Sequence, residues 1–83
     1  MASYTSSERA ILRDFGRRVR RARNAHDWSQ LELAEEADLS RSYVGAVERG
    51  ERNLGLLNVN KLALALDEDF DGYLPCRAGR RRR

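Results

Sequence analysis

Two short segments of this chain place hydrogen-bonding side chains at the starts of predicted helices. Ser29 and Gln30 stand at the first start, and Arg41 and Ser42 stand at the second. The free amides and positive dipole end of a helix N-terminus attract phosphate, and Gln30 can bond a phosphate oxygen itself. An arginine such as Arg41 is suited to a bidentate bond with O6 and N7 of guanine. The chemistry open to these segments is therefore polar recognition of a nucleic acid.

The residues that follow Arg41 and Ser42 suit the same chemistry. Gly45 and Ala46 are small, so the helix that carries them can sit close to bases, and Ala46 can touch a thymine methyl group. Tyr43 can donate its hydroxyl to a phosphate. We expect base contacts from Arg41, Ser42 and Ala46. The alternative for Arg41 is a solvated first-turn residue.

Other kinds of chemistry lack the residues they need. Cys76 is the only cysteine and His26 the only histidine, so neither an internal disulfide nor a zinc site can form. No catalytic triad, metal-ligand set or glycine-rich phosphate loop is present. We therefore expect no enzyme activity, no catalytic residue, no metal and no cofactor.

Length and hydropathy indicate one small domain outside the membrane. The 83 residues suffice for one domain, and a domain of this size is only marginally stable as a monomer. Oligomerisation is thus the expected added support. No apolar run approaches the roughly 18 residues of a membrane span, and MASYTSSERA is not patterned as a signal peptide. We expect a soluble, cytoplasmic protein.

The net charge of +3 conceals an uneven distribution. Seven arginines lie between Arg9 and Arg23, and five more lie between Arg77 and Arg83. Acidic residues gather between Asp67 and Asp71. Such asymmetry suits a polyanion bound on one side, although a run of arginines can equally be a solvated face. The tail has the same two interpretations, because its arginines either follow phosphates or form a solvated terminus.

Apolar spacing predicts an all-α chain. Residues 1–6 are expected to be flexible, residues 7–75 to form the domain and residues 76–83 to form a basic flexible tail. Ser7 is the expected cap of a first helix that starts at Glu8 and fades near residues 24–27. Its apolar stripe recurs every three or four residues and comprises Ile11, Phe15, Val19 and Ala22.

The two polar starts carry capping signals. Ser29 and Glu32 form an S-x-x-E capping box, flanked by Trp28 and Leu33 at the positions of a hydrophobic staple, so a second helix runs from Gln30 to about Glu36. Ser40 caps a third helix from about Arg41 to Arg49, which Gly50 ends. Its inward residues are Val44 and Val47. Its outward residues are Arg41, Ser42, Gly45, Ala46 and Arg49.

A fourth helix is predicted by the apolar stripe Leu56, Val59, Leu62, Ala63 and Leu66. A short fifth helix is expected around Phe70, Tyr73 and Leu74. Leu57 and Leu64 lie off the fourth stripe but seven residues apart, and so on one face. We expect them to form a dimer interface. The alternative is that they are ordinary exposed leucines.

The segment as a whole resembles the phage-repressor-like helix-turn-helix family, which includes the Cro and XRE-type regulators. The matching residues are Arg23, Ser29, Gln30, Leu33, Ala34, Ala37, Leu39, Ser40, Val44, Val47, Glu48 and Gly50. The resemblance covers about Phe15 to Leu74 and implies a compact five-helix lambda-repressor-like DNA-binding domain. Asp27 and Asp38 replace the usual glycines, and aspartate can adopt the left-handed conformation at moderate cost.

The resemblance also implies roles for individual residues. Arg23 and Glu48 are expected to form a structural ion pair. Gln30 is expected to contact phosphate and brace the base-reading residues Arg41, Ser42 and Ala46. The full set of expected phosphate contacts is Ser29, Gln30, Tyr43, Arg49 and Arg52.

The run RSYVGAVERGERNLGLLNVNKLALAL is similar, more narrowly, to the controller proteins of restriction–modification systems. That likeness implies a homodimer that binds a palindromic double-stranded DNA operator and regulates transcription. No effector pocket is evident from the sequence, so no small-molecule ligand is expected. A phage-type immunity repressor and an antitoxin that also binds a toxin protein remain alternatives.

Overall fold

The computed structural model describes residues 3–70, in which the chain forms four helices: α1 Ser6–Ala25, α2 Gln30–Ala37, α3 Arg41–Glu48 and α4 Leu56–Leu66. These residues contain no strand, which confirms the all-α class. The predicted count of five helices is wrong for this part of the chain. The fifth helix was expected around Phe70, Tyr73 and Leu74, and most of it, like the tail 76–83, lies outside the described residues.

Helix α1 begins two residues earlier than the sequence pattern predicted, because Thr5 rather than Ser7 is its cap. The Thr5 hydroxyl accepts the Glu8 amide at 3.1 Å, and the Glu8 carboxylate accepts the Thr5 amide at 2.9 Å. This reciprocal arrangement satisfies two amides that a helix start otherwise leaves unpaired. The T-x-x-E spacing therefore decides the start of α1.

The predicted starts of α2 and α3 are confirmed. Ser29 and Glu32 form the expected capping box, with bonds of 2.7 and 3.0 Å. The Ser40 hydroxyl accepts the Tyr43 amide at 3.0 Å. Left-handed aspartates allow the tight turns around these helices, since Asp27 and Asp38 both have φ 59°.

The core lies between the four helices, and its fully buried side chains include Val19, Leu33, Val44, Val47, Leu62, Leu66 and Phe70. The Phe15 and Phe70 rings meet at 4.9 Å between centroids. Trp28 is partly buried and packs against this core. None of the helices in residues 3–70 is both long and apolar enough to cross a membrane.

Two residues of the predicted apolar stripes are not core residues. Ile11 is 55% exposed and Leu56 is 54% exposed. Ile11 lies in the first half of α1, where it lines a surface groove with Tyr4, Leu12 and Asn53. Leu56 is the first residue of α4. Helical periodicity identifies a face but not how far along that face the neighbouring helices reach.

Helix α1 crosses α3 at Gly16. A Cβ at this position would overlap the carbonyl oxygen of Val47 and lie 2.7 Å from that of Glu48. The crossing therefore requires glycine because two backbones approach there, and not because the helix bends.

Next to this crossing, the carboxylate of Glu48 joins α1, α2 and α3. Arg23 donates to it twice, from Nε at 2.7 Å and from a terminal amino group at 2.9 Å. Gln30 Nε2 donates at 3.1 Å, and Arg20 Nε donates at 3.4 Å. Glu48 is the one charged residue among the buried residues of the described part.

The surroundings of Glu48 act on its pKa in opposite directions. Burial by itself raises the pKa of this carboxyl, since it disfavours the charged form. The hydrogen bonds from Arg23, Gln30 and Arg20, together with the positive charge of Arg23, outweigh burial and hold the pKa of Glu48 below its ordinary value of 4.5. The carboxylate is therefore ionised at neutral pH.

Replacing Gly16 by alanine tests the close crossing of α1 and α3. Alanine in an ordinary helix interior stabilises by about 1 kcal/mol relative to glycine. Here the added Cβ meets two backbone carbonyls that cannot rotate away, so Gly16→Ala should instead lower the free energy of unfolding by about 1–3 kcal/mol. Urea unfolding measures the sign. Gly55→Ala, where no atom lies within 4 Å of the new Cβ, is the control for steric overlap, and since Gly55 is the N-cap of α4 the loss there should stay within about 1 kcal/mol.

Replacing Glu48 by glutamine tests the buried ion pair. The largely buried Arg23 then lacks an opposing charge, and the free energy of unfolding at neutral pH should fall by about 3 kcal/mol.

The same contact makes the stability depend on pH. Because the folded-state pKa of Glu48 is lowered, the contribution of Glu48 to the free energy of unfolding is fully present above about pH 4.5 and is lost as pH falls through the folded pKa. The native protein should therefore lose stability below pH 4.5, and Glu48→Gln should lose less. Identical acid profiles for the two proteins would contradict this, and Glu51→Gln in the exposed Arg49–Glu51 pair is the control.

Candidate nucleic-acid interface

Helix α3 has one buried face and one outward face. Val44 and Val47 are buried, as predicted. Arg41 and Ser42 are exposed in its first turn, and Ala46 is half-buried one turn later. The Ser40 cap fixes where the first turn begins, so it also fixes which residues stand at the free end of the helix. The three predicted base-contacting residues thus occur together on one outward surface.

Gln30 connects this surface to the buried carboxylate. Its amide nitrogen donates to Glu48 at 3.1 Å, and its amide oxygen accepts Nη1 of Arg41 at 3.4 Å. Since an ionised carboxylate only accepts hydrogen bonds, the NH₂ group of Gln30 must face Glu48. Its oxygen must therefore face Arg41, so the buried charge sets which group Gln30 presents at the surface.

Gly45 differs from its predicted outward position, because it is buried under two side chains. A Cβ there would lie 3.2 Å from Nη1 of Arg49 and 3.5 Å from Oε1 of Gln30. Glycine at this position lets both side chains cross the middle of α3. At this point the outward surface is consequently formed by Gln30 and Arg49, and not by the small residue Gly45 that the sequence placed there.

A second polar group lies where α3 meets the start of α4. The Tyr43 hydroxyl accepts a hydrogen bond from Nδ2 of Asn58 at 3.0 Å, and the guanidinium carbon of Arg52 lies 5.0 Å from the centre of the Tyr43 ring. With its oxygen accepting from Asn58, the hydroxyl keeps its own proton for another acceptor. Tyr43 and Arg52 are thus brought together, and they line a cleft with Ser42 and Ala46.

The remaining predicted phosphate contacts already have local partners. The Ser29 hydroxyl caps α2. Nε of Arg49 pairs with Glu51 at 3.0 Å, and this hydrogen bond raises the pKa of Arg49. Both side chains are exposed at 56%, so the pair can rearrange toward a stronger anion at little cost.

The two leucines predicted for a dimer interface stand apart from the core. Leu57 is 77% exposed and Leu64 is 72% exposed, both on α4. They are seven residues apart, so they lie on the same side of that helix.

Three contributors were not identified from the sequence. Arg20 is a further cation at Glu48, Asn58 orients Tyr43, and Nε2 of His26 lies 2.9 Å from the carbonyl oxygen of Leu66. A signal was available for Arg20 alone, since it stands one helical turn before Arg23. The contacts of Asn58 and His26 join distant segments, and no spacing rule predicts them.

Comparison with known proteins places this geometry in a family. Residues 19–73, more than half of the chain, match the family model described as helix-turn-helix. Control protein C.BamHI of Bacillus amyloliquefaciens is 45% identical over 53 residues, which are 63% of this chain and 65% of that protein. Control protein C.SmaI of Serratia marcescens is 49% identical over 49 residues, which are 59% of this chain and 58% of that protein. The chain thus spans less than two thirds of these two relatives.

A solved structure extends the likeness to the fold. The restriction-modification controller protein C.AhdI from Aeromonas hydrophila has a TM-score of 0.71 to this chain at 52% sequence identity. The superposition covers 75% of this chain and 90% of that one. With α2 and α3 as its two central helices, the chain belongs to the helix-turn-helix family of the Cro/XRE type.

Proposed function

We propose that this protein is a sequence-specific transcriptional regulator of the restriction–modification controller type, which binds a palindromic DNA operator as a homodimer. The observation that carries the proposal is the exposed first turn of α3, where Arg41 donates a hydrogen bond to Gln30 and Gln30 in turn donates to the buried Glu48. The relatives whose names describe control proteins support this role over that of an immunity repressor or an antitoxin.

Arg41, Ser42 and Ala46 are the residues proposed to read bases. The eight-residue helix α3 presents them on its outward side, and an α-helix fits the major groove of DNA. Arg41 supplies two donors in a plane, which suits guanine, whereas Ala46 offers a methyl group to thymine. Specificity would then depend mainly on Arg41, because it alone forms a directional pair of bonds.

The proposed phosphate contacts lie on both sides of this reading surface. Ser29 and Gln30 stand at the start of α2, where the free amides favour an anion. Tyr43 and Arg52 stand on the other side, beside the start of α4. Arg49 lies between them. Such contacts orient a recognition helix without themselves selecting a sequence.

The proposed dimer uses the exposed face of α4. Burying Leu57 and Leu64 against a second copy would remove apolar surface from water, which a small domain needs for stability. A two-fold axis at this face would present two copies of α3 to one side of a duplex. Half-sites about 34 Å apart, one helical turn, are then expected.

Arg41→Ala tests the specificity proposal. A duplex is first selected from a random pool by the native protein, and a scrambled duplex of the same composition serves for comparison. The variant should lose about 1–3 kcal/mol of binding free energy on the selected duplex and much less on the scrambled one, by fluorescence anisotropy. Equal losses on both would make Arg41 a phosphate contact. Arg21→Ala, an exposed arginine of α1, is the charge-matched control.

Leu64→Glu tests the dimer. Two added carboxylates would face each other across the two-fold axis and lose their hydration, so association should weaken by about tenfold or more. Sedimentation equilibrium measures the change. Ile11→Glu places the same charge on an exposed apolar residue of α1 and should leave association unchanged. A Leu64→Glu protein that associates as the native one does would refute this interface.

A further inference from the structure

Most of the arginines of α1 lie on the surface and take no part in the proposed reading surface. Of the seven between Arg9 and Arg23, Arg23 pairs with Glu48 and Arg18 lies 5.8 Å from the centre of the Phe70 ring. The other five are exposed: Arg9, Arg13, Arg17, Arg20 and Arg21. Their positions around the helix differ, so they are not equivalent.

Arg13 and Arg20 share the face of α1 that crosses α3. They stand three residues before and four residues after Gly16, and these spacings place all three on one side of a helix. The stem of Arg13 lies against Gly50, where an added Cβ would be 2.7 Å from its Cγ. Nε of Arg20 donates to Glu48 at 3.4 Å. Both arginines are thus anchored on the C-terminal end of α3.

The charge of Arg20 is in excess at this point. Glu48 carries one negative charge, and Arg23 already matches it with bonds of 2.7 and 2.9 Å. Arg20 contributes only Nε to the carboxylate, and its side chain is 51% exposed. Its two terminal amino groups remain as donors for an acceptor outside the protein.

Arg20 also adjoins the proposed phosphate contact at Gln30. Both side chains donate to the same atom, Oε1 of Glu48, at 3.4 and 3.1 Å. On its other side, Gln30 accepts a hydrogen bond from Nη1 of Arg41 at 3.4 Å. A row of donors therefore continues from the first turn of α3, across Gln30, onto α1.

We propose that Arg13 and Arg20 bind the sugar-phosphate backbone of the same DNA duplex, so that α1 extends the contact surface beyond the helix-turn-helix unit. This inference rests on the proposed function and adds residues to it. The ligand is the backbone rather than the bases. Arg41 and Ser42, which are proposed to read the sequence, stand in the first turn of α3, whereas Arg13 and Arg20 stand beside the opposite, C-terminal end of that helix.

The competing account is that these arginines serve α3 alone. Two cations beside the C-terminal end of a helix stabilise its dipole. Under that account, removing them lowers thermal stability and leaves the salt dependence of DNA binding unchanged. The two accounts thus differ in a measurable quantity.

The experiment measures how the affinity for DNA depends on salt. The native protein, Arg13→Ala, Arg20→Ala and Arg21→Ala are titrated against a labelled duplex of about 30 base pairs, long enough for two half-sites with flanking backbone. Titrations are repeated on a scrambled duplex over a range of potassium chloride concentrations, with thermal unfolding in parallel. Arg21 is the control, since it is also an exposed arginine but lies about 100° around the helix from Arg20.

Arg13→Ala and Arg20→Ala should each reduce the slope of log affinity against log salt by about 0.9 per subunit and weaken binding to both duplexes at least about fivefold. Arg20→Lys should keep most of the slope, since lysine retains the charge. Arg21→Ala should match the native protein.

Native slopes for Arg13→Ala and Arg20→Ala, with or without a loss of thermal stability, would overturn the inference. So would an equal loss of slope in Arg21→Ala, which would show a diffuse charge effect. Failure of the native protein to prefer the selected duplex would contradict the proposed function, whereas native slopes in the variants contradict this inference alone.

Discussion

The buried carboxylate of Glu48 is the contact on which the arrangement of α1, α2 and α3 depends. It receives two hydrogen bonds from Arg23, one from Gln30 and one from Arg20. All four donors therefore lie in α1 or α2, whereas Glu48 lies in α3. Arg23 also donates to the carbonyl of Trp28 at 2.8 Å, which ties the turn before α2 to the same group. An ionised carboxylate away from water is tolerated only with such partners. These hydrogen bonds consequently tie the three helices together at one point.

The same carboxylate influences the outward surface. Because it only accepts hydrogen bonds, it sets the orientation of the Gln30 amide, whose oxygen accepts a hydrogen bond from the Arg41 guanidinium. Gly16 and Gly45 make this possible in different ways. Gly16 lets α1 approach the backbone of α3, and Gly45 lets the side chains of Gln30 and Arg49 cross it. The buried carboxylate and the outward surface of α3 are therefore joined through the side chain of Gln30.

Much of this could be predicted from the sequence where the signal is local. The Ser29–Glu32 box, the Ser40 cap and the left-handed Asp27 and Asp38 depend on neighbouring residues, and the structure has all of them. The resemblance to a known family indicated the Arg23–Glu48 contact across 25 residues, which spacing alone cannot supply.

The parts that could not be predicted depend on how helices meet. Ile11 has the right periodicity for the core but lies in a groove, and Gly45 faces outward but is covered by long side chains from elsewhere. Arg20 and Asn58 acquire their partners only when separate helices pack. The start of α1 is a different case. Both Ser7 and Thr5 can cap a helix here, and Thr5 does so because it forms a capping box with Glu8.

The central claim is that Glu48 orients Arg41 for DNA recognition through Gln30. A double-mutant cycle tests it most directly, with affinities for the selected duplex measured for the native protein, Glu48→Gln, Arg41→Ala and the double variant at a temperature where all four are folded. We expect Arg41→Ala to cost clearly less affinity in the Glu48→Gln background than in the native one, with a coupling of about 1 kcal/mol. An equal cost in both backgrounds would show that the buried ion pair and the reading surface are independent, and would contradict the claim.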